Sequence, residues 1–420
     1  MTGALLQAPW LASIARLFDR AGAPLYLVGG AVRNPLMNLP ISDIDVCGPA
    51  LPREVCALCA DSPVRAVIRA EQFGTVELHV TDETGADQMA EYTTFRQDSY
   101  TSGHRPAQVR FTAELAVDAL RRDFSVNALY QQVHADGLES VIDPTGGLEA
   151  LRRGVLHTVT ENPDLVLQND GLRILRAVRF AAELALAPTP ALMDSLRRYA
   201  PLARDVAMER LRDEWRKILL ADGRYPTLSP RQPATETALK RLDEIGLFGF
   251  LADGLPLDQE AAQALQRLPL GLSARLALLL RAASPKRAEA AVRAMRFSAA
   301  EAEKVSRYLR ALSGTEDVLV AAQWGEEALQ TAAAIRRVLG QEDGDLQALL
   351  CTLRGKPQSL RQLAIRGGDL RPLLNRLGLA PSCIGPCLNA LWRAVLEGRC
   401  PNEQAALLAL AENDILTKRA

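Results

Sequence analysis

The chain changes character near residue 150, and this break limits the fold more than any other feature. Before it, short β-type runs (LYLVGG, DIDVCG, GTVELHV, EYTTFR, SVIDP) alternate with helical stretches and with Gly, Pro and Asp turns. After it, strand signals almost vanish. Helical patterns take over, among them GLRILRAVRFAAELAL, MERLRDEWRKILLA, GLSARLALLLRAA and PCLNALWRAVLEG, broken by Pro and Gly. An N-terminal α/β or α+β head should therefore precede a long all-helical remainder. With 420 residues, one compact core is too few, and about two to four domains are expected.

Nearly half the residues are apolar and about a quarter charged, the profile of a soluble globular protein. No run of about eighteen apolar residues suggests a membrane span. MTGALLQAPWLASIARLFDR lacks a basic leader region and reads as an amphipathic helix of the fold. The seven cysteines suggest a reducing cytoplasm, not a disulfide framework. Cys56/Cys59 and Cys383/Cys387 have zinc-like spacings, but helical positions in a reduced interior explain them more simply. The four histidines (His79, His104, His134, His157) have no adjacent metal-ligand partner, which argues against a histidine-based metal hydrolase. Net charge is −1, so any surface for nucleic acid must be a local patch.

Chemistry concentrates in a few stretches. Leu25–Val28 reads as a buried strand, Gly29-Gly30 as a turn that lets backbone approach a ligand, and Ala31 onward as a helix. N–H groups at such a turn favour phosphate, and Arg33 adds a forked cation. Alone, this is also an ordinary turn. Asp43 and Asp45 share a face if both lie on a strand. Two close carboxylates repel unless a cation or proton neutralises them, and all-oxygen ligands suit Mg²⁺. By itself, D-I-D equally fits an acidic strand end; after the glycine turn, the metal reading is preferred. Glu91, sharing a face with Thr93 and Phe95, offers a third carboxylate for a two-metal phosphoryl transfer or a charge partner for Arg96 or Arg122. Segment 120–129, LRRDFSVNAL, embeds charges in apolar sequence, as either an internal ion network or a ligand-facing one. The helix near Asn169 carries Asp170, Arg173, Arg176 and Arg179 in steps of three, which drift by about 60° each. Asp170 and Arg173 share a face; exposed arginines after an acidic first turn explain the pattern as well.

In this order, LVGGAVR, DID, EYTTFR, RRDFSVNAL, NDGLRILRAVRF and ERLRDEWRKIL resemble the class II nucleotidyltransferases. That family holds bacterial and eukaryotic CCA-adding enzymes and bacterial poly(A) polymerases. QDSYTSGHRPAQVRFT is similar to its flexible loop, and GGDL…LNALWRAVLEGRCPNE to the tail of the shorter bacterial CCA-adding enzymes. The resemblance spans nearly the whole chain. It implies an α+β protein: a catalytic head with a small mixed β-sheet over 1–147, a base-recognising helical neck over 148–225, a body over 226–340 and a tRNA-binding tail over 341–420.

The resemblance also implies roles. Gly29, Gly30 and Arg33 would cradle the triphosphate, and Asp43 and Asp45 would hold Mg²⁺ with Glu91 as third carboxylate. Arg122 and Asp123 would contact the nucleotide, Asp170 and Arg173 would read the base, and Arg176 and Arg179 would complete the site. The base reading has its own logic. Cytosine and adenine present an amino donor beside a ring-nitrogen acceptor, whereas uracil and guanine present the reverse. A carboxylate only accepts and a guanidinium only donates, so Asp170 with Arg173 suits C and A. Two positions depart from the family: Asn34 and Asn169 stand where acids are usual.

The implied activity is Mg²⁺-dependent, template-independent addition of CCA to the tRNA 3′ end from CTP and ATP. Poly(A) polymerase, CC-adding and A-adding activities are the enzymatic alternatives, and an inactive RNA-binding relative is the non-enzymatic one. No basic C-terminal extension of the poly(A) type is evident, and the flexible loop is kept. No histidine–aspartate pair suggests a fused phosphohydrolase. The oligomeric state is not legible.

Overall fold

The computed structural model describes residues 9–100, 108–228 and 232–416. They fall into two compact units, divided after Gly254.

The first unit opens with helix α1 (Pro9–Arg20), strand β1 (Tyr26–Val28), helix α2 (Gly30–Leu36), strand β2 (Ile44–Gly48) and helix α3 (Pro52–Cys59). Strands β3 (Val64–Ala70), β4 (Thr75–Thr81) and β5 (Asp87–Thr94) follow, then the hairpin β6 (Arg96–Ser99) and β7 (Gln108–Phe111). Residues 101–107, the middle of the expected flexible loop and including His104, lie outside the described residues. Helix α4 (Leu115–Leu120), β8 (Tyr130–His134) and β9 (Gly137–Ile142) complete the head.

Seven strands form one sheet in the order β3-β4-β5-β2-β1-β8-β9. Only β2 and β5 run parallel; every other neighbouring pair is antiparallel. This is the small mixed sheet of an α+β protein. Its two faces differ because alternate residues point oppositely. Leu27, Val46, Leu78, Ala90 and Tyr92 form a core with Ile14 and Phe18 of α1 and Val55 and Cys59 of α3. On the other face Val28, Cys47, Phe95 and Tyr130 make a second, smaller core. Beyond it, that face ends in charged side chains.

Past residue 150, strand structure in this unit shrinks to a two-residue pair, Val155–Leu156 with Ala187–Pro188. Helix α5 (Leu172–Glu183) is buried on nearly every side, including Arg173, Arg179 and Glu183. It packs against α6 (Met208–Leu219) and α7 (Ala234–Glu244). Gly171 precedes α5 because a Cβ there would lie 2.4 Å from the Leu202 carbonyl oxygen, a distance no larger residue tolerates. The second unit is helical throughout its described residues. Some of its helices start on side-chain caps, such as Ser298 with the reciprocal bond from Glu301 at the head of Ala299–Leu312. No helix among the described residues is long and apolar enough to cross a membrane.

Candidate active site

The register of the parallel pair sets Asp45 of β2 beside Glu91 of β5, and Glu91 beside Glu77 of β4. Paired residues share a face, so three carboxylates form a row on the open side of the sheet. Asp45 and Glu91 line a pocket of about 290 Å³ that Arg96, Arg121 and Arg122 also line. Partial burial pushes the Asp45 carboxyl up from its ordinary range, with repulsion from Asp43 adding to it against the pull of Arg122. Burial, then Asp45 and Glu77, likewise raises Glu91. Asp43 lies just ahead of β2, not on it. Its carboxylate accepts from Ser42 Oγ at 2.8 Å and Arg224 Nη2 at 3.1 Å, and the Ser42 bond and Arg224 hold it below its usual value despite burial. The expected three-carboxylate set is thus only partly drawn together. Among the described residues no group of three His, Cys, Asp or Glu is arranged as a metal cage. Among the described residues no ion pair joins Glu91 to Arg96 or Arg122 either; Arg96 pairs with Asp98 and Arg122 with Asp118. The raised carboxyls and all-oxygen donor set at Asp45 fit a hard divalent cation.

Gly29 makes the expected turn. Its φ of +66° falls where glycine is favoured, and it caps α2, whose Arg33 N–H bonds the Gly29 carbonyl at 2.9 Å. Arg33, however, is 4 % exposed and turned inward. Its Nε and Nη2 donate to Asn34 Oδ1 at 3.1 and 2.8 Å, and Nη1 donates to Asn127 Oδ1. Burial lowers its pKa. Asn34 in turn donates to the Pro40 carbonyl at 2.8 Å and the Tyr225 hydroxyl at 3.0 Å. An aspartate here could still grip Arg33, but it could not donate to Pro40.

From Asn127 the polar chain runs inward. Asn127 donates to Asp123 Oδ1 at 3.2 Å, and Arg176 donates to Asp123 Oδ2 through Nε at 2.7 Å. Burial alone would raise Asp123, but Arg176, Arg173 and Asn127 outweigh it and bring the carboxyl to about 2. Arg179 bridges Glu214 and Glu183, each at 2.7 Å. The guanidiniums of Arg33, Arg176 and Arg179 gather around the Phe180 ring, 5.5, 5.1 and 4.1 Å from its centre. Segment 120–129 therefore carries both kinds of chemistry: Asp123 belongs to an internal network, while Arg121 and Arg122 face the pocket.

At the head of α5, Asp170 accepts from Arg210 Nη2 at 2.6 Å and from the Leu172 N–H at 3.0 Å. Arg173 donates to the carbonyls of Val166 at 3.0 Å and Arg121 at 2.6 Å, with its guanidinium 5.9 Å from the Tyr100 ring centre. Arg173 and Arg179 are buried, so a row of merely exposed arginines is excluded. Sequence reasoning missed Asp118, Arg210 and Tyr225, and singled out segment 120–129 without giving Arg121 or Asn127 a role of its own. Only Asp118 left a local signal, its spacing of three and four to Arg121 and Arg122.

Residues 25–157 match the poly A polymerase head domain, and residues 273–411 match the tRNA nucleotidyltransferase domain 2 (putative). A CCA-adding enzyme of Geobacillus kaustophilus is 31 % identical over 94 % of both chains. The chain belongs to the CCA-adding enzyme family. Another member, from Lactiplantibacillus plantarum, is 32 % identical over 95 % of this chain and 94 % of its own. The crystal structure of the Bacillus stearothermophilus CCA-adding enzyme in complex with CTP superposes with a TM-score of 0.77 at 27 % identity, covering 98 % of each chain. The Thermotoga maritima enzyme complexed with tRNA shares the fold, with a TM-score of 0.63 at 18 % identity over 97 % of this chain and 94 % of its own. The chain is a nucleotidyltransferase, and enzymes of this family use a divalent metal.

Proposed function

We propose that this protein adds the 3′-terminal CCA to tRNA from CTP and ATP without a nucleic-acid template, in the cytoplasm. The observation that carries the reading is one pocket holding Asp45 and Glu91 against three arginines, in a chain that matches CCA-adding enzymes over 94 % of its length. In the reaction the terminal 3′-oxygen of tRNA attacks the α-phosphorus. A new P–O bond forms, the bond to the bridging oxygen breaks, and pyrophosphate leaves.

Asp45 and Asp43 would hold Mg²⁺, with Glu91 alongside; when bound, the ion neutralises phosphate charge and activates the attacking oxygen. Asp43 must first part from Arg224. The Gly29-Gly30 turn would bring backbone close to the triphosphate, and Arg122 would neutralise it in the pocket. Asp123 would meet the ribose edge, its position held by Arg176. Asp170 and Arg173 would read the Watson–Crick edge, accepting from the amino group and donating to the ring nitrogen that C and A share. Arg210 holds the Asp170 carboxylate in place, next to the unusual Asn169. Arg33 and Arg179 would support this surface from beneath through Phe180. The head, neck, body and tail would divide at residues 147, 225 and 340, with the tail gripping tRNA by shape and phosphate.

The test offers tRNAs ending before CCA, after C and after CC, with CTP and ATP separately and together. Completion of CCA and then arrest supports the reading. Addition of C alone, of the last A alone, or of an unbounded A tract assigns the chain to the other enzymatic branches. Tight tRNA binding without any addition overturns catalysis.

A further inference from the structure

Asp118 is fully buried on α4, yet no step above uses it. Its spacing puts Arg121 and Arg122 three and four residues on, the positions that meet on a helix. Oδ1 accepts from Arg121 Nε at 2.7 Å. Oδ2 accepts from Arg122 Nη2 at 3.1 Å and Nε at 3.2 Å, and from the Tyr130 hydroxyl at 2.8 Å. Side chains of adjacent residues do not ordinarily face one spot; here one carboxylate draws two neighbours to the same wall. Both arginines line the same pocket as Asp45 and Glu91. Arg121 uses only Nε on Asp118, and among the described residues neither of its Nη atoms has a hydrogen-bond partner. One buried negative charge set against two guanidiniums leaves the wall positive.

We propose that Arg121 is a further triphosphate-binding residue, and that Asp118 is the positioning residue that sets Arg121 and Arg122 into the pocket that Asp45 and Glu91 line. A polyanion bridged by a cation to the carboxylates needs a second set of donors on its far side, and planar guanidiniums fit phosphate in two-pronged fashion. The competing account is a brace: Asp118 merely ties the end of α4 to Tyr130. A brace does not require both arginines to reach the pocket, and an apolar contact would serve it at lower desolvation cost.

The inference rests on the nucleotide-adding reading, so its test has one arm that needs no turnover. Inorganic tripolyphosphate with a divalent cation should raise the melting temperature of the wild type, and Arg121→Ala and Asp118→Asn should remove at least half of that rise. In the addition assay both variants should raise KM for CTP and for ATP about tenfold, the scale of one lost charge-assisted hydrogen bond, with KM for tRNA unchanged. Arg121→Lys should recover part of the loss, and the double variant should be no worse than either single one. If Asp118→Asn fails to fold, Arg121→Ala carries the test alone. An intact tripolyphosphate shift with unmoved nucleotide KM overturns the proposal in favour of the brace. A rise confined to the tRNA KM overturns it too, because the wall would then serve RNA backbone phosphates. Failure of the wild type to add nucleotides counts against the functional reading and leaves the tripolyphosphate arm standing.

Discussion

Two charged regions of the first unit follow opposite rules. On the open face of the sheet, Asp45 and Glu91 lie side by side, and their carboxyls are raised by burial and by neighbouring carboxylates, Asp43 for Asp45 and Asp45 with Glu77 for Glu91. Around α5, Asp123 and Glu214 are more deeply enclosed, yet their carboxyls are lowered because arginines outweigh the burial. Burial alone raises an acid; what separates the regions is whether the protein's own counter-charge outweighs that burial. Where it does, the acids form scaffold. Where it does not, a cation from solution is wanted, and this is a physical reason to place metal and phosphate chemistry at Asp45.

The contrast breaks most visibly by substitution at its two poles. Asp45→Ala should lower nucleotide addition by on the order of a thousandfold, the scale of losing electrostatic stabilisation at a reacting centre. Its melting temperature should hold or rise, because an unneutralised charge is removed. Single-turnover incorporation of CMP and a thermal melt check both halves, and a large loss of stability would contradict the assignment. Asp123→Ala should instead lose stability as well as nucleotide addition. It strands Arg176 against Phe180 without its carboxylate, at a cost of about 3–5 kcal/mol in stability, read by urea unfolding.

A smaller effect comes from pH. Asp123 sits at about 2 in the folded chain against an ordinary 3.8, so the unfolded state binds the proton more readily. Its contribution, about 2 kcal/mol, is present above pH 4 and is lost as pH falls toward 2. Asp45 and Glu91 run the other way, since raised carboxyls contribute stability at low pH that is lost as pH rises through their folded values. An acid melt of Asp123→Asn should be flatter than wild type between pH 4 and pH 2. At neutral pH, added Mg²⁺ should stabilise wild type more than Asp45→Asn.

These regions were not equally legible in the sequence. The glycine turn and Asp45 are short-range features: strand, turn and helix follow from residues 25–36, and one register places the carboxylate. Strand β3 was missed because VRAVIRA carries arginines on an edge strand and lacks the clean apolar alternation of its neighbours. Arg33 shows the limit more sharply. Its partner Asn127 is 94 residues away, and Asn34 meets Tyr225 across 191. No local pattern tells an arginine aimed at phosphate from one turned into an amide pair, because the deciding partners are set by packing. Asp118 was legible in principle, since its spacing to Arg121 and Arg122 is helical, but nothing local says the carboxylate is buried.

The smallest expected effect tests the border between the regions, at Asp43. Its carboxylate is 74 % exposed and paired to Arg224, itself 43 % exposed. Exposed ion pairs contribute little because water and salt compete for both partners. Arg224 therefore occupies Asp43 without satisfying it as Arg176 satisfies Asp123. Arg224→Gln should lower the Mg²⁺ concentration for half-maximal addition by only about two- to threefold, with unfolding nearly unchanged. A tenfold or larger change would mean that Arg224 is a true counter-charge. Asp43 would then belong with the scaffold acids, leaving Asp45 and Glu91 as the open carboxylates.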